Sequence, residues 1–190
     1  MITQLGVLVE STDCFVPFQY TINDVEGVSG LTCRRIGQYK PDPNAISNST
    51  PQAIRYGTVT WPAGALSLHP GPQHERATAR VRLDKGGVHV IVADFHGLDD
   101  FTKPIDVRVQ ANAATLWQSV TGDRFAAAVH LPPRSIVDFS VGVSPGDNYR
   151  DSTTAVRFAI FRTVSLGRGK SGLLRVDDAI NGLDDVTARR

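Results

Sequence analysis

From residue 61 to the string DFSVGVSPGDNYRDSTTAVRFAIF, apolar and polar residues alternate in short runs. A half-buried β-strand requires this every-other spacing, because successive side chains point to opposite faces. Ala77 to Leu83 reads ATARVRL, with Ala79, Val81 and Leu83 on one face and Arg80 and Arg82 on the other. Ile105 to Ala111 reads IDVRVQA. Ser135 to Val143 sets Val137, Phe139, Val141 and Val143 against Ile136, Asp138 and Ser140. Thr154 to Thr163 turns Val156, Phe158 and Ile160 inward and Arg157 outward. Gly87 to Phe95 is almost continuously apolar, which predicts a strand covered on both faces. Ala114 to Val120 and Phe125 to Leu131 flank the turn TGDR, which predicts a hairpin. Leu5 to Val9, Phe15 to Ile22 and Ile54 to Thr60 read as further strands.

The main block thus holds about eight strands, the number a double-sheet jelly roll uses. The fold expected is all-β, a jelly-roll-like antiparallel β-sandwich. Residues 1–165 form that domain, and 23–53 within it read as a long surface loop, since KPDPNAISNSTPQ is rich in turn residues. SLGRGKSG, from Ser165 to Gly172, reads as a linker, so 166–190 become a linker and C-terminal arm. Leu173 to Leu183 is a short helix candidate, interrupted by Gly182.

Composition sharpens the class. A chain of 190 residues with 41% hydrophobic content suits one ordinary domain with a real core. The net charge is +1, from 20 basic and 19 acidic residues, without the basic excess of a nucleic-acid binder. No apolar run reaches the roughly 18 residues of a membrane span. The start, MITQLGVLVESTD, lacks the pattern of a secretion signal, so synthesis in the cytoplasm is expected. Thiols stay reduced there, so free Cys14 and Cys33 are preferred over a disulfide between them, which the loop length would allow. Two cysteines without histidines at ligand spacing do not make a zinc site.

Four pieces of sequence occur in a familiar order: His69-Pro70-Gly71, Asp106 to Asn112, Ile136 to Gly142, and Asn148 to Thr153. This order resembles a jelly-roll β-sandwich module of bacterial surface and extracellular proteins, related in shape to carbohydrate-binding modules. The resemblance covers about residues 61–160. It implies a binding or structural module without catalysis. The chain departs from it at Asn112-Ala113, where the family has Asn-Gly, and at Pro133-Arg134, where it often has Gly-Asp.

Candidate chemistry is sparse. In GDNYRDST, Asp147, Asn148, Asp151 and Ser152 offer clustered oxygens that calcium would accept. The same residue types also hold turns by bonding backbone, and that reading is preferred. Asp94, Asp99, Asp100 and Asp106 around HGLDDFTKP allow the same two readings. His69, His74, His89, His96 and His130 show no zincin spacing. No G-x-S-x-G elbow is present, and GRGKSG lacks the spacing of a phosphate loop. No catalytic residue, metal site or cofactor is expected. A sugar-binding sandwich stacks exposed rings on pyranose faces, and the candidates are Trp117, Tyr149, Trp61, Tyr56 and Tyr39. Two tryptophans in a jelly roll more often pack in the core or at an edge than form a platform. Trp117 follows Leu116 in a strand, so one of the two faces outward, which makes Trp117 the better platform candidate of the pair; Trp117 and Tyr149 are the ligand-binding candidates.

Two readings of function follow. The first is a component of a viral (phage) particle, such as a capsid decoration, fibre or tail protein. Its partners would be copies of itself or capsid and tail proteins, consistent with the long loop and the arm. The second is a carbohydrate-binding or adhesion module whose partner is a surface glycan. Neither reading includes nucleic acid, membrane or catalysis.

Overall fold

The alternating segments form strands in the computed structural model, which describes residues 2–9, 14–101, 103–167 and 170–177. In chain order they are β1 (Ile2–Val9), β2 (Cys14–Pro17), β3 (Tyr20–Asn23), β4 (Leu31–Gly37), β5 (Lys40–Asn48), β6 (Ile54–Tyr56), β7 (Val59–Trp61) and β8 (Leu66–His69). Then follow β9 (Arg76–Arg82), β10 (Gly87–Gly97), β11 (Ile105–Ala111), β12 (Ala114–Ser119), β13 (Arg124–Leu131), β14 (Ile136–Val143), β15 (Thr154–Gly167) and β16 (Lys170–Asp177). Two large sheets carry the fold. The first is six-stranded, in the order β12-β11-β14-β9-β1-β2. The second is seven strands in path, β13-β10-β15-β8-β5-β4-β3, with β16 paired to β15. The chain is therefore an all-β antiparallel sandwich, as the alternation requires.

The inward rows meet between the sheets. Ala77, Ala79 and Val81 of β9, Val107 and Val109 of β11, and Val137, Phe139 and Val141 of β14 are completely buried. They face Ile91, Phe95, Val156, Phe158 and Ile160 of the second sheet. Phe139 stacks on Phe158 at 4.1 Å between ring centroids and 10° between planes, which pins the two sheets at their centre. The faces read from β9, β14 and β15 are thus correct.

The opposite face of the first sheet is polar yet buried. Arg76 is 1% exposed. Its Nη1 donates to Asp106 Oδ2 at 2.6 Å, its Nη2 to the Asp106 carbonyl at 2.7 Å and its Nε to Ser140 Oγ at 3.0 Å. Asp106 also accepts from Arg108 at 2.7 Å and from Gln118 at 2.9 Å. One row over, Arg80 grips Asp138 through two bonds of 2.7 Å and lies 4.1 Å above the Phe15 ring. The long side chains lie flat because the strands beneath them are small. A methyl group on Gly142 would collide with the Arg76 guanidinium, and one on Gly6 with the Phe15 ring. This is why Val137 to Gly142 is buried on both faces.

Several expectations are corrected. Gly87–Phe95 is covered on one face only: His89, Ile91, Ala93 and Phe95 are buried, while Val88 is 41% exposed. The continuous apolar run reflects outward valines next to a sheet edge, not double burial. The TGDR segment is not a hairpin turn. β12 and β13 lie in different sheets, so the segment crosses between them. The long loop at 23–53 is replaced by the β4–β5 hairpin, which sits inside the second sheet. Pro41 and Pro43 are tolerated because the ladder shifts register between Arg35 and Gly37, so neither has to donate to it. Asn48 then binds the carbonyls of Gln52, Trp61 and Pro62, which seats the β6–β7 hairpin. Of the Ser165–Gly172 linker, 165–167 belong to β15 and 170–172 to β16, which pair back along each other. Leu173 to Asp177 is strand rather than helix, and the rest of the arm lies outside the described residues.

The β11–β12 hairpin turns on Asn112 and Ala113, with φ of 49° and 66°. Two successive positive φ values define the turn type that favours Asn-Gly. Ala113 therefore carries a Cβ penalty that glycine would not. Ala113→Gly is expected to raise unfolding free energy by about 0.5–1 kcal/mol in urea denaturation, the relief of the left-handed alanine outweighing the entropy gained by the unfolded chain.

Candidate functional site

Trp117 is not an outward platform. A β-bulge between Val109 and Gln110 leaves Leu116 as the extra residue opposite no partner, and Trp117 pairs with inward-facing Val109. Bulges break strict alternation, so Leu116 and Trp117 both pack on the core. The indole stacks on Phe95 at 5.9 Å and 23° and meets Phe125 at 5.9 Å. Trp61 is also buried, with its Nε1 donating to Ser67 Oγ at 2.8 Å.

Tyr149 stands in the loop joining β14 to β15. The end of the sandwich it occupies is where β8 and β10 finish and β15 and β5 begin. The oxygens of its turn converge on an ammonium group. Lys103 Nζ lies 3.2 Å from Asp151 Oδ2, 4.0 Å from Asp147 Oδ1, 3.3 Å from the Arg150 carbonyl and 3.5 Å from Asn148 Oδ1. Backbone bonds take up the rest: Asn148 N donates to Asp147 Oδ1 at 2.7 Å and Arg150 N to Asn148 Oδ1 at 3.0 Å. The turn-holding reading of GDNYRDST thus accounts for its oxygens. In the second acidic set each carboxylate has a partner, although Asp94 Oδ1 is buried without one. Asp99 accepts from Thr58 Oγ1 and Thr153 N, Asp100 pairs with Arg55, Asp94 with His96, and Asp106 with Arg76.

Beside Tyr149, the His69 ring makes an edge contact with the phenol at 6.0 Å. His69 Nδ1 is 3.1 Å from Thr153 Oγ1, and Nε2 is 3.7 Å from Asp42 Oδ1. A carboxylate calls for a donor facing it, so Nε2 carries the proton and Nδ1 accepts from Thr153. Burial pushes the imidazole below its ordinary value, against the opposing pull of Asp42. Burial likewise raises the Asp42 carboxyl, against His69 and the bond from Asn44. Asp–His–Thr is the outline of a nucleophilic relay, yet Thr153 is 7% exposed and its N–H is spent on Asp99. The group is a polar plug under the loop.

The same end carries rings that are open to solvent. Phe101 is 60% exposed and Tyr56 45%. Their segments are laced together. Asp100 N donates to the Thr58 carbonyl at 2.9 Å, Thr60 N to the Leu98 carbonyl at 3.2 Å, and Arg55 Nη2 to Asp100 Oδ2 at 2.6 Å. Val59 and Asp99 form an isolated bridge. Two exposed rings are thus held on braced backbone beside Arg55, Thr58 and Asp100. Sequence reasoning included Tyr56 among its candidates and missed Phe101, whose available signal was one apolar residue inside the polar string LDDFTKP. A shallow open cleft of about 280 Å³ beside the end of β10 is lined by Asp94, His96, Gly97, Thr121 and Arg124. Cys14 is exposed and Cys33 buried, both as free thiols, and burial pushes Cys33 up to about 11.

The architecture defines a two-sheet β-sandwich with Phe101 and Tyr56 open beside each other's segments, while Tyr39, in the β4–β5 turn and 89% exposed, and Tyr20 on β3 are open as well. No family model and no curated protein sequence matches the chain. Among solved structures it is similar to a family 35 carbohydrate binding module from Clostridium thermocellum, with 12% identity over 58% of this chain and 88% of that one, at a TM-score of 0.37. It is also similar to CBM51 from Clostridium perfringens GH95, solved in complex with methyl-galactose, with 11% identity over 55% and 73% and a TM-score of 0.33. The partial likeness to carbohydrate-binding modules read from the sequence thus recurs among solved structures. The strand order of the chain itself carries the fold assignment.

Two predictions follow from this geometry. Trp117→Ala should lower unfolding free energy by about 3 kcal/mol, as removal of a large ring from a core does, without a specific loss of ligand binding. Acidification tests His69. Its folded value lies below its unfolded one, so its contribution is present above about pH 6.5 and is lost as pH falls through the folded value. Asp42 acts oppositely, gaining stability as it protonates above its ordinary value of 3.8. His69→Asn should therefore flatten the stability lost just below pH 6.5 in chemical denaturation.

Proposed function

We propose that the chain is a non-catalytic binding module that takes a saccharide at the rim formed by Tyr56 and Phe101. The observation that carries this reading is the pair of solvent-open rings fixed by backbone bonds between β7 and the loop after β10. Leaving a phenylalanine mostly in water has a free-energy cost that a stacked pyranose face offsets. Bracing lowers the ordering cost on binding, because the rings are already placed. Arg55, Thr58 and Asp100 supply donors and acceptors for hydroxyl groups around the stacked ring. Tyr149, the sequence candidate at this end, is half-buried against His69 and serves as a wall of the loop. The viral-particle reading draws on the chain's sequence features, and no geometric feature selects it.

Glycan-array screening followed by calorimetry on the best ligand tests the proposal. Phe101→Ala and Tyr56→Ala should each weaken binding about tenfold or more, since a stacked ring contributes about 1–2 kcal/mol. Melting temperatures should stay close to wild type, because neither ring is in the core. Absence of any glycan ligand for the wild type would overturn the reading, as would unchanged affinity in both variants.

A further inference from the structure

We infer that the outer edge of β13 is a self-association site, at which a second copy of this chain adds its own β13 antiparallel. The paths of the two sheets end on four strands, β12, β2, β13 and β3, and off the path β16 leaves a further edge, whose ladder is broken by two register shifts and which carries Lys170, Arg175 and Asp177. An open edge offers unpaired backbone groups to any extended segment, and proteins blunt such edges with short length, proline, bulges or charge. Three of the four are blunted. β2 has four residues and ends in Pro17, β3 has four residues, and β12 carries the bulge at Leu116. β13 is not. It runs eight residues as RFAAAVHL, in unbroken register with β10 from Arg124 to Leu131. Its one charged residue, Arg124, stands at the end.

The seam behind this edge is unsealed. Core-packed hydrophobics that remain partly exposed are Phe18, Leu116, Trp117, Ala127 and Val129. Four of these belong to β12 and β13, the strands that bound the same open side of the sandwich. At the strand ends Phe125 and Leu131 are buried, so the gap lies at the centre of β13. Among the described residues no strand covers it.

The pattern of β13 specifies the occupant. A two-fold axis perpendicular to the sheet at Ala128 aligns the inward rows of both copies. It sets Phe125 opposite Leu131 of the second copy and Ala127 opposite its Val129. On the outer face Ala128 meets Ala128, and Ala126 meets His130. No like charges face each other, and each inward pair sets a smaller side chain against a larger one. Shifting the axis to Ala127 keeps the rows aligned and sets Ala126 against Ala128. The pairing adds about eight backbone hydrogen bonds. It buries less than the about 1,200 Å² of a tight dimer, so the association is weak and reversible.

Sedimentation velocity on the full chain between about 10 µM and 1 mM tests this inference, which is independent of the saccharide reading. The wild type should pass from monomer to dimer across that range. Ala126→Lys with Ala128→Lys, and Ala126→Glu with Ala128→Glu, place like charges across the axis in either register. Each double variant should weaken association about tenfold or more, and an equimolar mixture of the two should dimerise again. Recovery in the mixture shows that both variants fold. A wild type that stays monomeric, or double variants that dimerise as wild type does, would overturn the inference. So would a mixture that fails to recover, or an open-ended ladder of larger oligomers.

Discussion

The buried guanidinium of Arg76 ties the first sheet together. All three of its donor nitrogens are engaged, by the side chain and carbonyl of Asp106 on β11 and by Ser140 on β14. One side chain on β9 therefore spans two further strands. Taking an ion pair out of water costs several kcal/mol per ion, and the pair survives only where every donor and acceptor is met. Asp106 meets that condition by also receiving Arg108 and Gln118, which brings β12 into the same group. The arrangement needs glycine at 142, because the guanidinium lies where a Cβ would project. Loss of one partner from such a group leaves an uncompensated buried charge, at about 3–5 kcal/mol.

This network explains how a sheet with an alternating sequence becomes buried on both faces. The inward row of β9, β11 and β14 is sealed by the second sheet. The outward row is sealed by its own arginines, whose stems lie along the strands while their heads pair with Asp106 and Asp138. Arg80 extends the cover by stacking on Phe15. The first sheet thus spends its outer polar groups on itself. The most solvent-open rings, Tyr39 and Phe101, lie instead in turns and loops.

The strands with strict period two, β9, β11, β14 and β15, were legible because one buried face forces alternation. Their facing rows were legible for the same reason. The β4–β5 hairpin was not. Its prolines, asparagines and serines read as turn residues, while a register shift and the capping bonds of Asn48 let them serve inside a sheet. The pairing of β12 with β13 was misread because turn chemistry specifies a reversal of direction, not which sheet receives the returning strand. Trp117 was misplaced by one inserted residue: at a bulge the neighbour of an inward side chain can also face inward. Phe101 left no periodic trace at all. A lone ring in a polar loop shows its exposure only once the surrounding backbone is in place. Tyr149 was picked out as a ring within a turn, but its contact with His69 comes from a strand distant in sequence.

The rim and the seam together constrain what an assembled form could do. β10 ends at Gly97, just before the loop that carries Phe101, and Asp94 near that end pairs with Arg124 at the start of β13. The ring-bearing loop therefore lies toward the first residue of β13. Antiparallel addition across β13 places the first residue of one strand beside the last of the other. The two rims then point to opposite ends of the combined sheet. Such a dimer gains no avidity on a single flat surface, because both sites cannot face it at once. It would bridge two surfaces, or two chains of one polymer, with a weak contact at the seam and a weak contact at each rim. Both contacts are small, so neither commits the module on its own. Bridging then depends on local concentration, as expected where binding rests on a few exposed rings and an unsealed edge.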